Sequence, residues 1–173
     1  MKITTRRLIL QNFQLEDLDQ LAPIMADPKG MRFSRTGHCL SVLETKEKIK
    51  GFIASYEKFG FGKWAVSSRE HNQLIGYCGI AMETIDGKDE KELGYRLDSR
   101  FWNQGLATEA AKAATQYAFE RFKILYILGI VDRKNKASLR VLEKLGMKYA
   151  KDTRFHGAEM AVYSLERAAS SIN

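Results

Sequence analysis

The feature that most constrains this chain is a strand-like segment that feeds a glycine loop opening directly into a helix. Glu92-Leu-Gly-Tyr-Arg-Leu97 precedes the loop Phe101-Trp-Asn-Gln-Gly105, and Ala107, Ala110, Ala111, Lys112, Ala113 and Ala114 form a run of strong helix formers behind it. A helix opened by such a loop directs several unpaired backbone N–H groups, and the positive end of its dipole, at one spot. That spot suits a phosphate or pyrophosphate. A Cβ at Gly105 would hold an anion away from the backbone. Taken alone, the stretch reads equally well as an ordinary strand-to-helix turn.

The remaining patterns place this unit in a larger order. Ile3–Leu10 reads as a strand, and Leu18, Leu21, Ala22 and Met25 follow at helical spacing from about Leu15, with Pro23 predicting a break or kink. Ser41-Val-Leu-Glu44 is a capping-box signature for a second helix carrying Ile49, Phe52, Ile53 and Tyr56 and ending before Gly60. Lys63–Ser67, Gln73–Met82 and Lys91–Leu97 read as strands joined by turns at Glu70-His-Asn72 and Asp86-Gly87. After the helix from Ala107 to about Phe122, Ile124–Val131 has the apolar, partly β-branched character of a strand buried on both faces. A short helix, Lys136–Leu145, is stopped by Gly146, and Met147–Thr153 and Glu159–Leu165 close the chain around His156-Gly157. The order predicts a layered α/β domain spanning 1–173, with a mixed, mostly antiparallel sheet flanked by helices and the glycine loop at the carboxyl end of a central strand, where open α/β sheets bind ligands.

Charge narrows the partners. Between Arg121 and Arg154 there are 10 Lys/Arg against 3 Asp/Glu, a surplus of 7 that equals the whole net charge of +7. A local basic block suits an anionic partner, whether a nucleotide-like cofactor, RNA or a membrane surface, and reads equally as a solvated basic face. No apolar run approaches the roughly 20 residues needed to span a bilayer, and the start Met1-Lys-Ile-Thr-Thr-Arg-Arg7 lacks a signal-peptide core, so a cytoplasmic protein without membrane association is expected. The three histidines and two cysteines have no metal-ligand spacing, so no metal is expected. Cys78, inside Leu74-Ile-Gly-Tyr-Cys-Gly-Ile80, reads as a small core residue.

Several of these features agree with one family. The element order, Trp102-Asn-Gln-Gly-Leu-Ala-Thr108 and Asn135-Lys-Ala-Ser-Leu-Arg-Val-Leu-Glu-Lys-Leu-Gly-Met147 resemble the GNAT superfamily of acetyl-CoA-dependent N-acetyltransferases. Ile3-Thr-Thr-Arg-Arg-Leu-Ile-Leu10, Ile75-Gly-Tyr-Cys-Gly-Ile80 and Tyr163 are similar to its ribosomal-protein-serine/alanine N-acetyltransferase branch. The resemblance covers essentially the whole chain. Its pyrophosphate loop follows Arg/Gln-x-x-Gly-x-Gly/Ala; Gly105 and Ala107 match, whereas Trp102 stands at the first position.

The resemblance implies that the loop Gln104, Gly105, Leu106, Ala107 and Thr108 binds the cofactor pyrophosphate, chiefly by backbone N–H groups. It implies that Asn135 flanks the pantetheine arm, unless it is simply a helix cap. Arg140, with Arg133, Lys134 and Lys136, is a candidate for the 3′-phosphate, and backbone around Leu97 and Asp98 for the thioester oxygen. Many members place a tyrosine seven residues after this asparagine; here that position is Leu142, and the resemblance passes the acid's role to Ser138, otherwise a plain helix-start hydroxyl. Glu92 is the candidate base, on the strand face opposite Leu93, Tyr95 and Leu97; the alternative is an edge carboxylate paired with Arg96 or Lys91. Phe33, Phe59, Phe61, Trp64 and His156 are candidates for the acceptor groove. The implied reaction is direct attack of an amine on acetyl-CoA, the acceptor being a small molecule or a peptide such as a ribosomal protein, by a monomer or homodimer. A non-catalytic module binding CoA, or RNA and ribosome, on the same fold is the competing reading.

Overall fold

The first apolar run, Ile3–Leu10, folds as two strands rather than one. In the computed structural model, which describes residues 1–167, β1 (Lys2–Thr4) and β2 (Leu8–Gln11) form an antiparallel hairpin. The Thr5 hydroxyl accepts the Leu8 N–H at 2.9 Å, and the Thr5 N–H donates to the Leu8 carbonyl at 2.9 Å. A hydroxyl that offers the backbone a local partner turns the chain where the apolar pattern alone reads straight on.

The helices α1 (Leu18–Ala26) and α3 (Val42–Phe59) follow, with a short helix α2 (Pro28–Met31) between them. A 3-10 turn at Leu15–Asp17 leads into α1, which continues through Pro23 without the expected break. Pro23 lies on the exposed side of α1, where water can serve the carbonyl left without its N–H partner. The sequence reading missed α2; Asp27 caps it by accepting the Lys29 and Gly30 N–H groups, with Pro28 in the first position. The box at Ser41 and Glu44 forms as expected.

The strands β3 (Lys63–Ser68), β4 (Gln73–Ile85) and β5 (Lys88–Leu97) form an antiparallel meander. The β4–β5 hairpin runs further than its alternation suggests, to a turn at Asp86-Gly87 where both residues have positive φ. Then come α4 (Leu106–Phe122), β6 (Tyr126–Val131), α5 (Lys136–Lys144), β7 (Lys148–Phe155) and β8 (Ala158–Glu166). One sheet of eight strands results, in the order β1-β2-β3-β4-β5-β6-β8-β7. Every pairing is antiparallel except β5 with β6.

Alternation along the strands divides the core between the two faces of the sheet. Leu8, Leu10, Trp64, Val66, Ile80, Leu93 and Leu97 pack toward the alanine-rich face of α4, whereas Ala65, Leu74 and Tyr77 meet α1 and α3. Trp64, a candidate for the acceptor groove, is instead 1% exposed and packs edge-on against Tyr117 of α4 with centroids 5.6 Å apart. Truncating such a side chain removes its burial and leaves a cavity. Trp64→Ala is therefore expected to lower the unfolding free energy by about 3–5 kcal/mol in urea melts, whereas Trp64→Phe costs less.

Candidate active site

The two parallel strands β5 and β6 pair at one position only, Glu92 opposite Leu128. Beyond it they part, and the wedge widens toward their carboxyl ends, from which the chain enters α4 and α5. A cavity of about 1010 Å³ occupies this wedge and continues under α2 and α3.

One wall is the start of α4. Gly105 caps the helix at φ +75°, a left-handed conformation that a residue with a Cβ adopts only with strain, and no side chain caps this end. The first bond of the helix runs from the Glu109 N–H to the Gly105 carbonyl at 3.0 Å, so the Leu106, Ala107 and Thr108 amides precede the helical ladder. Gly105, Ala107 and Thr108 line the cavity; Gln104 and Leu106 do not. Leu106 is a core residue, and Gln104 gives its carbonyl to Arg7 at 2.9 Å. The loop is held from outside by contacts the sequence reading missed: Glu109 accepts from the Thr5 hydroxyl at 2.6 Å, the Arg7 N–H at 2.9 Å and the Arg7 Nε at 2.7 Å. Trp102, where the family motif has Arg or Gln, donates its indole N–H to the Leu97 carbonyl at 2.8 Å and ties the loop to β5.

The opposite wall is the start of α5. Asn135 is the helix cap, its side chain accepting the Ser138 N–H at 3.1 Å, and it lines the cavity as well. Lys136, Ser138, Arg140 and Lys144 face the same space. Arg133 instead pairs with Asp152 at 2.5 Å, and Lys151 with Asp86 at 2.5 Å. The basic block is thus divided between the cleft and separate surface pairs rather than forming one face.

The sequence reading assigned no chemistry to Tyr95. Its hydroxyl lies 2.8 Å from the Ser138 Oγ and 3.2 Å from the Ser138 carbonyl, so it fixes the serine that faces the wedge. Burial holds the Tyr95 phenol well above the ordinary tyrosine value, and it stays protonated. Alternation already placed Tyr95 on the face away from Glu92; only the crossing of α5 over that face supplies its partner.

Glu92 stands at the apex and is 1% exposed. Neither Arg96 nor Lys91 pairs with it: one carboxylate oxygen accepts from Arg35 Nη2 at 2.7 Å and the other from Lys63 Nζ at 3.0 Å. Arg35 comes from the segment between α2 and α3, bonds Glu83 at 2.9 Å and lies over the Phe155 ring at 4.7 Å. Lys63 crosses β5 at Gly94, where a Cβ would sit 1.7 Å from its Nζ. A side chain at 94 would require the Lys63 ammonium to shift from its present seat. Of the two amides considered for the thioester oxygen, that of Asp98 donates to the Ile75 carbonyl at 2.8 Å, which leaves the Leu97 end of β5.

Of the aromatic candidates for the acceptor groove, only Phe33 lines the cavity. Phe59 stacks on buried Phe61, and His156 sits at the exposed β7–β8 turn. Phe52 and Tyr77 line the cavity in their place. Burial pushes the Cys78 thiol up to about 12, which removes it from nucleophilic chemistry. No group of three or more His, Cys, Asp or Glu among the described residues could hold a metal ion, and no helix among them is long and apolar enough to cross a membrane.

The family model for the acetyltransferase (GNAT) domain matches residues 7–148. The chain belongs to the GNAT acetyltransferase family. It is 32% identical to the uncharacterized protein YkkB of Bacillus subtilis over 69% of this chain and 70% of that protein. It is 28% identical to the uncharacterized N-acetyltransferase YnaD of the same organism, over 86% and 83%. Among solved structures, an acetyltransferase from Agrobacterium tumefaciens superposes with a TM-score of 0.82 at 25% identity, covering 96% of this chain and 95% of that one. An acetyltransferase from Salmonella typhimurium that modifies the N-terminal serine of ribosomal protein L7/L12 superposes with a TM-score of 0.80 at 17% identity, covering 96% and 99%. A RimL structure in complex with coenzyme A has a TM-score of 0.79 at 18% identity, covering 96% and 98%. The protein is therefore an acyltransferase of GNAT fold, with a mixed sheet flanked by helices as expected.

Two measurements test the site as described. Losing Lys63 leaves one buried Glu92 oxygen without its partner, while Arg35 still holds the other. Gly94→Ala, which displaces Lys63 Nζ, and Lys63→Met are each expected to lower stability by about 1–3 kcal/mol in denaturant melts. Combining them should cost little more than either alone, because both break the same contact. With a thiol reagent such as DTNB, native protein should release colour from Cys39 while Cys78 reacts only after unfolding.

Proposed function

We propose that this enzyme transfers the acetyl group of acetyl-CoA to a primary amine, a small molecule or a peptide N-terminus, by direct attack in a ternary complex in the cytoplasm. The observation that carries the reading is the wedge itself: an uncapped helix start on one side, a positioned serine on the other and a carboxylate at the apex. The cleft suits acetyl-CoA because Gly105, Ala107 and Thr108 line it at a helix start whose first amides precede the helical ladder, and Lys136, Arg140 and Lys144 face the same space.

When bound, acetyl-CoA supplies an activated acyl carbon and a sulfur leaving group; the protein's residues do the rest. The Gly105–Thr108 backbone receives the pyrophosphate, with the Thr108 hydroxyl as a further donor. Arg140, with Lys136 and Lys144, receives the 3′-phosphate. Asn135 and the Leu97 end of β5 border the pantetheine arm. Glu92 takes the proton of the incoming ammonium. Its two bonds leave lone pairs on both oxygens, and Arg35, about a third exposed, is the partner that can yield to the amine. Ser138 Oγ donates a proton to the leaving sulfur, held in place by Tyr95. The likeness to a ribosomal-protein acetyltransferase supports a peptide N-terminus among the acceptors.

Mass spectrometry of an amine library incubated with protein and acetyl-CoA should show products heavier by one acetyl group, with matching thiol release. Glu92→Gln and Ser138→Ala should each lower kcat by about 10²-fold or more, consistent with loss of general acid–base catalysis, in protein shown to be folded by circular dichroism. Wild-type rates in both would remove these two roles. Gly105→Val should abolish CoA binding in calorimetry, in protein that circular dichroism shows to be folded though less stable because of the strain at φ +75°. A wild-type protein that binds no CoA would overturn the reading altogether.

A further inference from the structure

The acceptor half of the cleft holds more positive charge than its chemistry requires. Along β5, residues 92, 94 and 96 face the α1 and α3 layer, opposite Tyr95 and Leu97. From α2 to β5 the chain lines the cavity with the cations Lys29, Arg32, Arg35, Lys48, Lys63 and Arg96, of which Lys29 lies over the Trp102 ring of the glycine loop, and with two carboxylates, Glu83 and Glu92. Arg35 and Lys63 take both carboxylates. The other four have no carboxylate partner among the described residues.

Two of these four lie beside one tyrosine, Tyr77. Arg96 donates from Nε to the Tyr77 oxygen at 3.4 Å and from Nη1 to the Gly30 carbonyl, which leaves three of its five donors unused. Lys48 Nζ lies 5.9 Å from the centre of the Tyr77 ring and 5.5 Å from that of Phe52, with no hydrogen-bond acceptor among the described residues. Tyr77 is 8% exposed, and its own O–H has no acceptor there either. Burial, the largest influence, pushes the Tyr77 phenol up, yet the charges of Arg96, Lys48 and Lys63 outweigh it and leave the phenol below the ordinary tyrosine value. The charges nearest this phenol are cationic. The Arg96 guanidinium and the Tyr77 hydroxyl meet here, with the Lys48 ammonium beside the same ring, and none of the three has a carboxylate partner among the described residues.

We propose that Lys48, Tyr77 and Arg96 form an anion subsite, and that the acceptor is an amine that also carries a carboxylate or a phosphate group. This rests on the acetyl-transfer reading above and specifies its substrate. The phosphates of the cofactor do not explain the subsite, because their seats lie on the opposite face of β5, at the starts of α4 and α5. Glu92 and Arg96 lie on one face of one strand, four residues or about 13 Å apart along the backbone. The amine at Glu92 and the acid at Arg96 are therefore separate groups joined by a spacer.

The test is a series of ω-amino acids and ω-aminoalkyl phosphates of increasing length, each paired with the alkylamine that lacks the acid. At the fitting length the acid-bearing member should exceed its neutral partner at least tenfold in kcat/KM, and the carboxylate and phosphate arms show which acid is preferred. Lys48→Met and Tyr77→Phe should shrink that ratio at least fivefold, while Lys48→Met leaves CoA affinity unaltered. A ratio near one at every length, or a ratio unmoved in Lys48→Met, overturns the subsite. If no amine is acetylated, the acetyl-transfer reading falls separately, and calorimetric titration of CoA-loaded protein with inorganic phosphate decides the subsite. Binding lost in Lys48→Met upholds it; absent or undiminished binding overturns it.

Discussion

Everything functional in this protein depends on two parallel strands that touch once and then separate. Parallel neighbours cannot be joined by a hairpin, so the chain must leave β5, cross the sheet as α4 and return as β6. That crossover places the first turn of α4 beside the gap. Because the strands diverge after Glu92 and Leu128, the hydrogen-bonding edges that a closed sheet would satisfy internally instead border a cleft.

The apex of the wedge is held by charge. A glutamate at 1% exposure is costly unless it is paired, and both of its oxygens are. The two cations differ in kind. Lys63 lies flat across Gly94 within the sheet and is itself buried, whereas Arg35 arrives from a connecting segment and is partly exposed. Lys63 holds the carboxylate from within the core, and Arg35 covers it on the side that opens to the cleft. The surrounding wall carries cations without carboxylate partners among the described residues, the feature on which the proposed anion subsite rests.

The cofactor side reflects a different economy of contacts. The loop before α4 lines the cleft with Phe101, Trp102, Asn103 and Gly105, and it is held by contacts to other elements. Trp102 ties it to β5, while Arg7 and Glu109 tie it to the first hairpin. The turn at Thr5, which divides the expected first strand, is what brings Arg7 to that position. A deviation from the predicted strand thus serves the site some hundred residues away, at a separation of 102 positions.

The sequence by itself determined whatever depends on near neighbours. The order of helices and strands, the Gly105 helix start, the caps at Ser41 and Asn135 and the turn at Asp86-Gly87 follow from periodicity, capping and positive-φ preferences, which act over a few residues. The wedge could be placed at the carboxyl end of a central strand, and Glu92, Ser138 and the α4 start could be named as its parts. Only the tertiary structure decided how those parts are wired. Arg35 meets Glu92 across 57 residues, Lys63 across 29, and Tyr95 meets Ser138 across 43. No local pattern selects one arginine among many for a buried carboxylate, or turns Arg96 toward Tyr77 rather than Glu92. Those choices are made when sheet twist, helix crossing and burial bring distant side chains into one space, where each charge must find a partner or be left for a ligand.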